Sequence, residues 1–190
     1  MRRTAKLLLA LIMIFSLTSC VSSTKSAQET AQDVRTRLQD SEISLTAEVR
    51  ANYGDRVYDF TLTYNTSSGV IEVKAPEILA GTTVTVSKED NSTVLQYDGA
   101  QLDTGKLTED GLSPVSALPE LVEQWLESYI IENFYESSDG TDFVAIKTQM
   151  SDDVISTSWF DRSTGDPVKA EIATEGNVVI ECTFSGVTVT

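Results

Sequence analysis

Apolar residues fall on every second position through most of this chain, and that period decides its fold class. Tyr58, Phe60, Leu62 and Tyr64 alternate with Val57, Asp59, Thr61 and Thr63. Ile71, Val73 and Ala75 alternate with Glu72 and Lys74, and Val84 and Val86 with Thr83, Thr85 and Ser87. Successive side chains of a strand point to opposite faces, so each run makes a ribbon with one greasy side. Leu95 and Tyr97 continue the series after a turn at Glu89-Asp90-Asn91, and Ser67-Ser68-Gly69 is a further turn. After Ser137-Ser138-Asp139-Gly140 the pattern resumes in Phe143 to Thr148, Val154 to Phe160, Val168 to Ile172 and Val178 to Phe184. Arg162 to Pro167 and Glu175-Gly176-Asn177 are turns between them, and Val187 to Val189 adds a last edge. Short polar turns between such runs describe antiparallel meanders.

Two stretches follow the helical period instead. Ser26-Ala27-Gln28-Glu29 has the layout of a capping box. Ala27, Ala31, Val34 and Leu38 then form one narrow apolar stripe on a helix reaching Gln39. Gly99 to Pro119 reads as a loop-rich passage, with Ser113-Pro114 starting a short helical turn. Pro119 begins a second helix, expected to end near Asn133. Its apolar face is Leu118, Leu121, Val122, Trp125, Tyr129 and Ile130, with Glu120, Glu123 and Glu127 opposite. The order is helix, strands, helices, strands. That predicts an α+β fold: a curved antiparallel β-sheet, a half-barrel, with helices packed on the concave face.

The amino end stands apart. Arg2, Arg3 and Lys6 precede an uncharged run from Leu7 to Leu17. Eleven residues are too few to span a hydrocarbon core about 30 Å thick, which needs roughly 20 in a helix. A basic start and a short apolar run make a secretory signal. It closes on Leu17-Thr18-Ser19-Cys20, which resembles the bacterial lipobox. The resemblance implies cleavage before Cys20 and lipid (a diacylglycerol, with palmitate-type chains) on its thiol. Residues 1–19 are then a lipoprotein signal peptide, 20–25 a lipidated tether and 26–190 one domain. One acyl chain holds a protein only marginally, whereas two or three on one cysteine hold it stably. The expected location is the outer face of a cell membrane or an outer membrane.

Charge and composition narrow the function. Loss of the leader's three cations takes the net charge from −15 to −18. Such a surface repels nucleic acid and anionic headgroups, so nucleic acid is not an expected partner and the lipid does the membrane holding. With Cys20 lipidated, Cys182 is left alone and no intramolecular disulfide forms. Cys182 falls on the apolar side of its strand, as a buried thiol does. Histidine is absent, which removes Ser-His and Cys-His nucleophile systems. Asp152-Asp153, Glu109-Asp110 and Glu89-Asp90 lie in expected turns without the spacing of a calcium loop. The reading is a non-enzymatic protein with no cofactor and no metal.

A family resemblance rests on four features: the amino-terminal helix leading into a strand meander, the helical insertion from Pro114 to Asn133, the closing strand Val178 to Phe184, and Trp159-Phe160-Asp161-Arg162-Ser163-Thr164-Gly165-Asp166-Pro167-Val168-Lys169-Ala170-Glu171-Ile172. Together they resemble the outer-membrane lipoprotein carrier superfamily, the LolA/LolB-like fold, including its germination-lipoprotein members. The resemblance implies a half-barrel that takes acyl chains or lipoproteins in an apolar cavity. It also implies an alternative, an accessory lipoprotein that supports another envelope protein such as a cell-wall hydrolase. The expected cavity lining is Tyr58, Phe60, Leu62, Tyr64, Ile71, Val73, Val84 and Val86, faced by Trp125 and Tyr129. Alternation says only that these residues leave water, so a filled core fits the pattern equally. Glu120, Glu123, Glu127, Glu132 and Glu136 offer either a solvated face or a docking surface for a basic partner.

Overall fold

The computed structural model describes residues 25–65, 68–87, 92–97, 99–106 and 112–190. Cys20, with the signal peptide and most of the tether, lies outside the described residues, as do Glu89-Asp90-Asn91 and Glu109-Asp110. The chain opens with α1 (Ala27–Gln39). The first meander follows: β1 (Ile43–Asn52), β2 (Val57–Asn65), β3 (Ser68–Ala75), β4 (Thr83–Ser87), β5 (Ser92–Tyr97) and β6 (Ala100–Lys106). A single 3-10 turn, Glu77–Leu79, separates β3 from β4. Then come α2 (Pro114–Glu127) and a second meander: β7 (Ile130–Ser138), β8 (Thr141–Ser151), β9 (Val154–Asp161), β10 (Pro167–Thr174) and β11 (Asn177–Val189).

Among the described residues all eleven strands form one open antiparallel sheet, in the order β6-β5-β4-β3-β2-β1-β11-β10-β9-β8-β7. The architecture is the expected α+β half-barrel lidded by helices. Val187 to Val189 is not an edge: Val189 pairs with Ile43, and β11 lies along β1 in the middle of the sheet. The edges are β6 and β7. The loop expected after Gly99 contains β6, and Ser68 and Gly69 already belong to β3.

The helices are set by local chemistry. Ser26 accepts from the Glu29 amide at 3.2 Å and Glu29 accepts from the Ser26 amide at 2.8 Å, so the capping box is complete. Ala31, Val34 and Leu38 are buried. Ser113 caps α2 by accepting from the Ser116 amide, with Pro114 in the first turn. One helix replaces the two expected. Pro119 lies inside it, removing one N–H without ending it. The helix stops at Glu127, short of Asn133, because Ser128 turns extended (φ −78°, ψ 158°) and Ile130-Ile131 and the aromatics after them favour a strand. Glu132 and Glu136 therefore sit on β7, away from the helical face of Glu120, Glu123 and Glu127. Glu132 pairs with Lys147 at 2.6 Å and Glu136 accepts from the Trp159 indole at 2.7 Å.

The concave face holds the main core. Trp125 of α2 meets Phe160 and Phe184 edge-on, each at 5.4 Å between ring centres, and its indole N–H donates to the buried Ser158 hydroxyl at 2.7 Å. Arg35 of α1 donates to the Trp125 carbonyl at 3.0 Å, so a cation closes the carboxyl end of α2. Cys182 is buried there, and burial pushes its thiol up to about 12, far from the thiolate form. A smaller cluster of Phe143, Ala145 and Trp159 forms apart from it, with Lys169 over the Trp159 ring at 3.9 Å. Trp125→Phe should destabilise the domain by about 1–3 kcal/mol in denaturant unfolding, because Ser158 keeps its burial and loses its donor.

Candidate functional site

A cavity of 630 Å³ remains between the inner face of β2 to β5 and the approach to α2. Its floor is Tyr58 and Phe60 of β2, Val73 of β3, Val84 of β4 and Leu95 of β5. Leu79 and Thr82, on either side of the β3–β4 bend, make one wall. Leu112 and Ser113, which lead into α2, make another, and Tyr53 and Arg56 of the β1–β2 hairpin close the third. Register explains the floor. Phe60 pairs with Val73, and Val84 pairs with Leu95, so their side chains fall on one face of adjoining strands.

The walls are tied by aromatic contacts. Tyr58 stacks on Phe60 with ring centres 6.1 Å apart and 16° between planes, while Tyr53 meets Tyr58 edge-on. The Tyr53 hydroxyl donates to the Leu112 carbonyl, which staples the hairpin to the segment before α2. Polar groups are few: Arg56, Thr82 and Ser113, with the aromatic hydroxyls. Among the described lining residues none is a nucleophile with a base beside it. The arrangement suits an apolar guest with one polar end.

The structure divides the ten residues expected to line a cavity. Tyr58, Phe60, Val73 and Val84 border this space. Leu62, Tyr64, Ile71, Val86 and Trp125 lie in the filled core and do not border it. Tyr129 is a correction: it follows the end of α2, is 83% exposed, and faces water rather than the strands. Its apolar neighbours Ile130 and Ile131 fit a helical stripe and a strand equally, and the strand won. Tyr53, Arg56, Leu79, Thr82, Leu112 and Ser113 were not anticipated, because they sit at strand ends and bends where no period marks them; Leu95 belongs to the alternating series but was not among the expected lining residues.

The segment Asp161 to Pro167 is a turn, as its residues suggest. The Ser163 hydroxyl, then the amides of Ser163 and Thr164, donate to the Asp161 carboxylate and hold it below the usual carboxylate range. Gly165 has φ +75°, and a side chain there would meet the Arg37 guanidinium at 3.1 Å. Pro167 opens β10 before β11 has joined it, where no amide is required.

No family model matches the sequence, and no curated protein matches it. Solved structures do match. An uncharacterized conserved protein from Thermus thermophilus is 10% identical over 87% of this chain and 88% of its own, with a TM-score of 0.51. The GerS lipoprotein, solved in complex with the CwlD amidase from Clostridioides difficile, is 15% identical over 87% and 96%, with a TM-score of 0.47. The LolA superfamily protein NE2245 from Nitrosomonas europaea is 12% identical over 87% and 94%, with a TM-score of 0.37. At these identities the likeness is one of fold.

Tyr129→Ala should leave unfolding free energy within about 0.5 kcal/mol of the parent, as exposed positions do. Tyr58→Ala, by contrast, should widen the cavity and alter the binding of any apolar probe followed by fluorescence.

Proposed function

We propose that this chain is a lipid-anchored extracytoplasmic protein that holds an acyl chain in the cavity bounded by Tyr58, Phe60, Val73 and Val84. The observation that carries the reading is the cavity itself, an apolar space left open beside a cluster of buried core side chains. Its volume of 630 Å³ falls within the roughly 300–1,000 Å³ of small-molecule sites. Each methylene moved from water to such walls gains about 0.8 kcal/mol, so a long chain can be held without many polar contacts. Arg56 at the rim suits the charged end of an anionic lipid. The half-barrel fold and the resemblance of Trp159 to Ile172 to lipoprotein carriers support the same reading. No catalytic step is part of it.

Anchoring is the second element. It rests on Leu17-Thr18-Ser19-Cys20 and the uncharged run before it. Cys20→Ala should abolish incorporation of labelled palmitate and release the protein from the membrane fraction. Continued labelling would remove the anchor from this reading.

Native mass spectrometry of the domain from Ser26 onward, purified mildly from cells, tests the cavity. A bound species with the mass of a fatty acid or phospholipid is expected. Val84→Phe should fill the space and remove that species while costing about 1–3 kcal/mol of stability. A clean apo mass for the parent would end the acyl-chain reading and leave the accessory role beside another envelope protein.

A further inference from the structure

A second cavity, of 320 Å³, lies between α1 and the turn that joins β9 to β10. Lys25, Arg37 and Arg162 bring three cations to its lining, against the single carboxylate of Asp33. This gathering occurs in a chain of net charge −15 with only fourteen lysines and arginines. The cations are not used up by their neighbours. Lys25 donates to Asp33 at 2.5 Å and keeps two further N–H groups. Arg37 gives Nη2 to Asp166 at 2.8 Å, while its Nη1 is buried with no hydrogen-bond partner. Arg162 is held over the Tyr135 ring at 4.2 Å and makes no ion pair among the described residues.

Each feature asks for the same ligand chemistry. A buried guanidinium N–H lacking an acceptor is unfavourable, and a small turn of the Arg37 side chain, which lines the cavity, would bring that N–H to an oxyanion there. A guanidinium fixed by an aromatic ring is already oriented, so little freedom is lost when it binds. A group with several oxygens can serve donors arriving from α1 and from the turn together.

We propose that this cavity binds a phosphate group. The site is separate from the acyl-chain cavity. One source of phosphate, a lipid headgroup, follows from the proposed lipid on Cys20: Lys25 is five residue steps beyond Cys20, a reach of at most about 18 Å. The cavity would then stand at the height of the headgroups. Free phosphate is the other source. The negative charge of the remaining surface does not forbid either, because salt screens it within about 8 Å under physiological conditions.

The test uses the full lipidated chain in zwitterionic detergent micelles, with the arginine side-chain 15N–1H signals as readout. Inorganic phosphate and dihexanoyl phosphatidylglycerol are titrated separately. Saturable shifts of the Arg37 and Arg162 signals are expected with at least one of them. Shifts with phosphate alone assign a soluble anion, and shifts with the lipid alone, or at lower concentration, assign the headgroup. Arg162→Gln should weaken binding about tenfold while the Gly165 amide signal stays in place. Lys25→Gln, at an exposed position, gives a second reading if the first variant folds poorly. Unmoved arginine signals with both ligands, or parental affinity in both variants, would overturn the proposal and leave the acyl-chain reading untouched.

Discussion

Among the described residues eleven strands share a concave apolar face that has to be hidden from water, and most of the molecule follows from how that is done. Curvature brings the two halves of the face toward each other, and α1 and α2 fill the hollow. Trp125 reaches from α2 onto Phe160 and Phe184, on strands of the second meander, while Leu118, Leu121 and Val122 join the same buried cluster. Two helices do not fill the whole hollow. What remains lies under β2 to β5, at the approach to α2, and it is the candidate site. The same shortage of covering material that a compact core would treat as a defect thus leaves room for a guest.

The two meanders differ in what they do with their outer faces. The first alternates plainly: Glu48, Thr63 and Glu72 are exposed or reach water while their neighbours are buried. In the second, Phe143, Val144, Ala145 and Ile146 are buried in succession, because β8 packs on both sides. The Trp159 cluster on one side is closed by Lys169 and Glu136, whose charged ends remain near solvent. Binding features are split in the same way. The apolar cavity belongs to the first meander, and the cationic one to the turn between β9 and β10 and the helix it touches.

Local periodicity made much of this legible. Phe60, Leu62, Tyr64, Ile71, Val73, Val84 and Val86 are buried as their spacing demands, and the Ser26–Glu29 box caps α1 as its residues suggest. Where a segment fits two periods, the sequence is ambiguous: Tyr129 and Ile130 extend a helical stripe and also begin a strand. Ala100–Lys106 carries too few apolar residues to mark a strand, yet it pairs along β5. The division between filled core and open cavity was not readable at all. Tyr64 and Phe60 lie on one face of the same strand and both are buried, yet only Phe60 borders the open space, a difference set by the elements that cover the face and not by spacing. Nor does any local pattern place β11 beside β1.

That last pairing has a consequence for how the domain comes into being. A chain made from its amino end completes β1 to β6 early, but β1 keeps a bare edge until β11 has emerged, after every other strand. Glu42 and Thr190 exchange backbone hydrogen bonds at the far end of this seam. During the interval the first meander is a sheet whose edge strand β1, central in the finished fold, is unprotected and open to the wrong neighbour. Losing β11 as a whole would leave that edge bare, parting the molecule along its midline rather than trimming its margin.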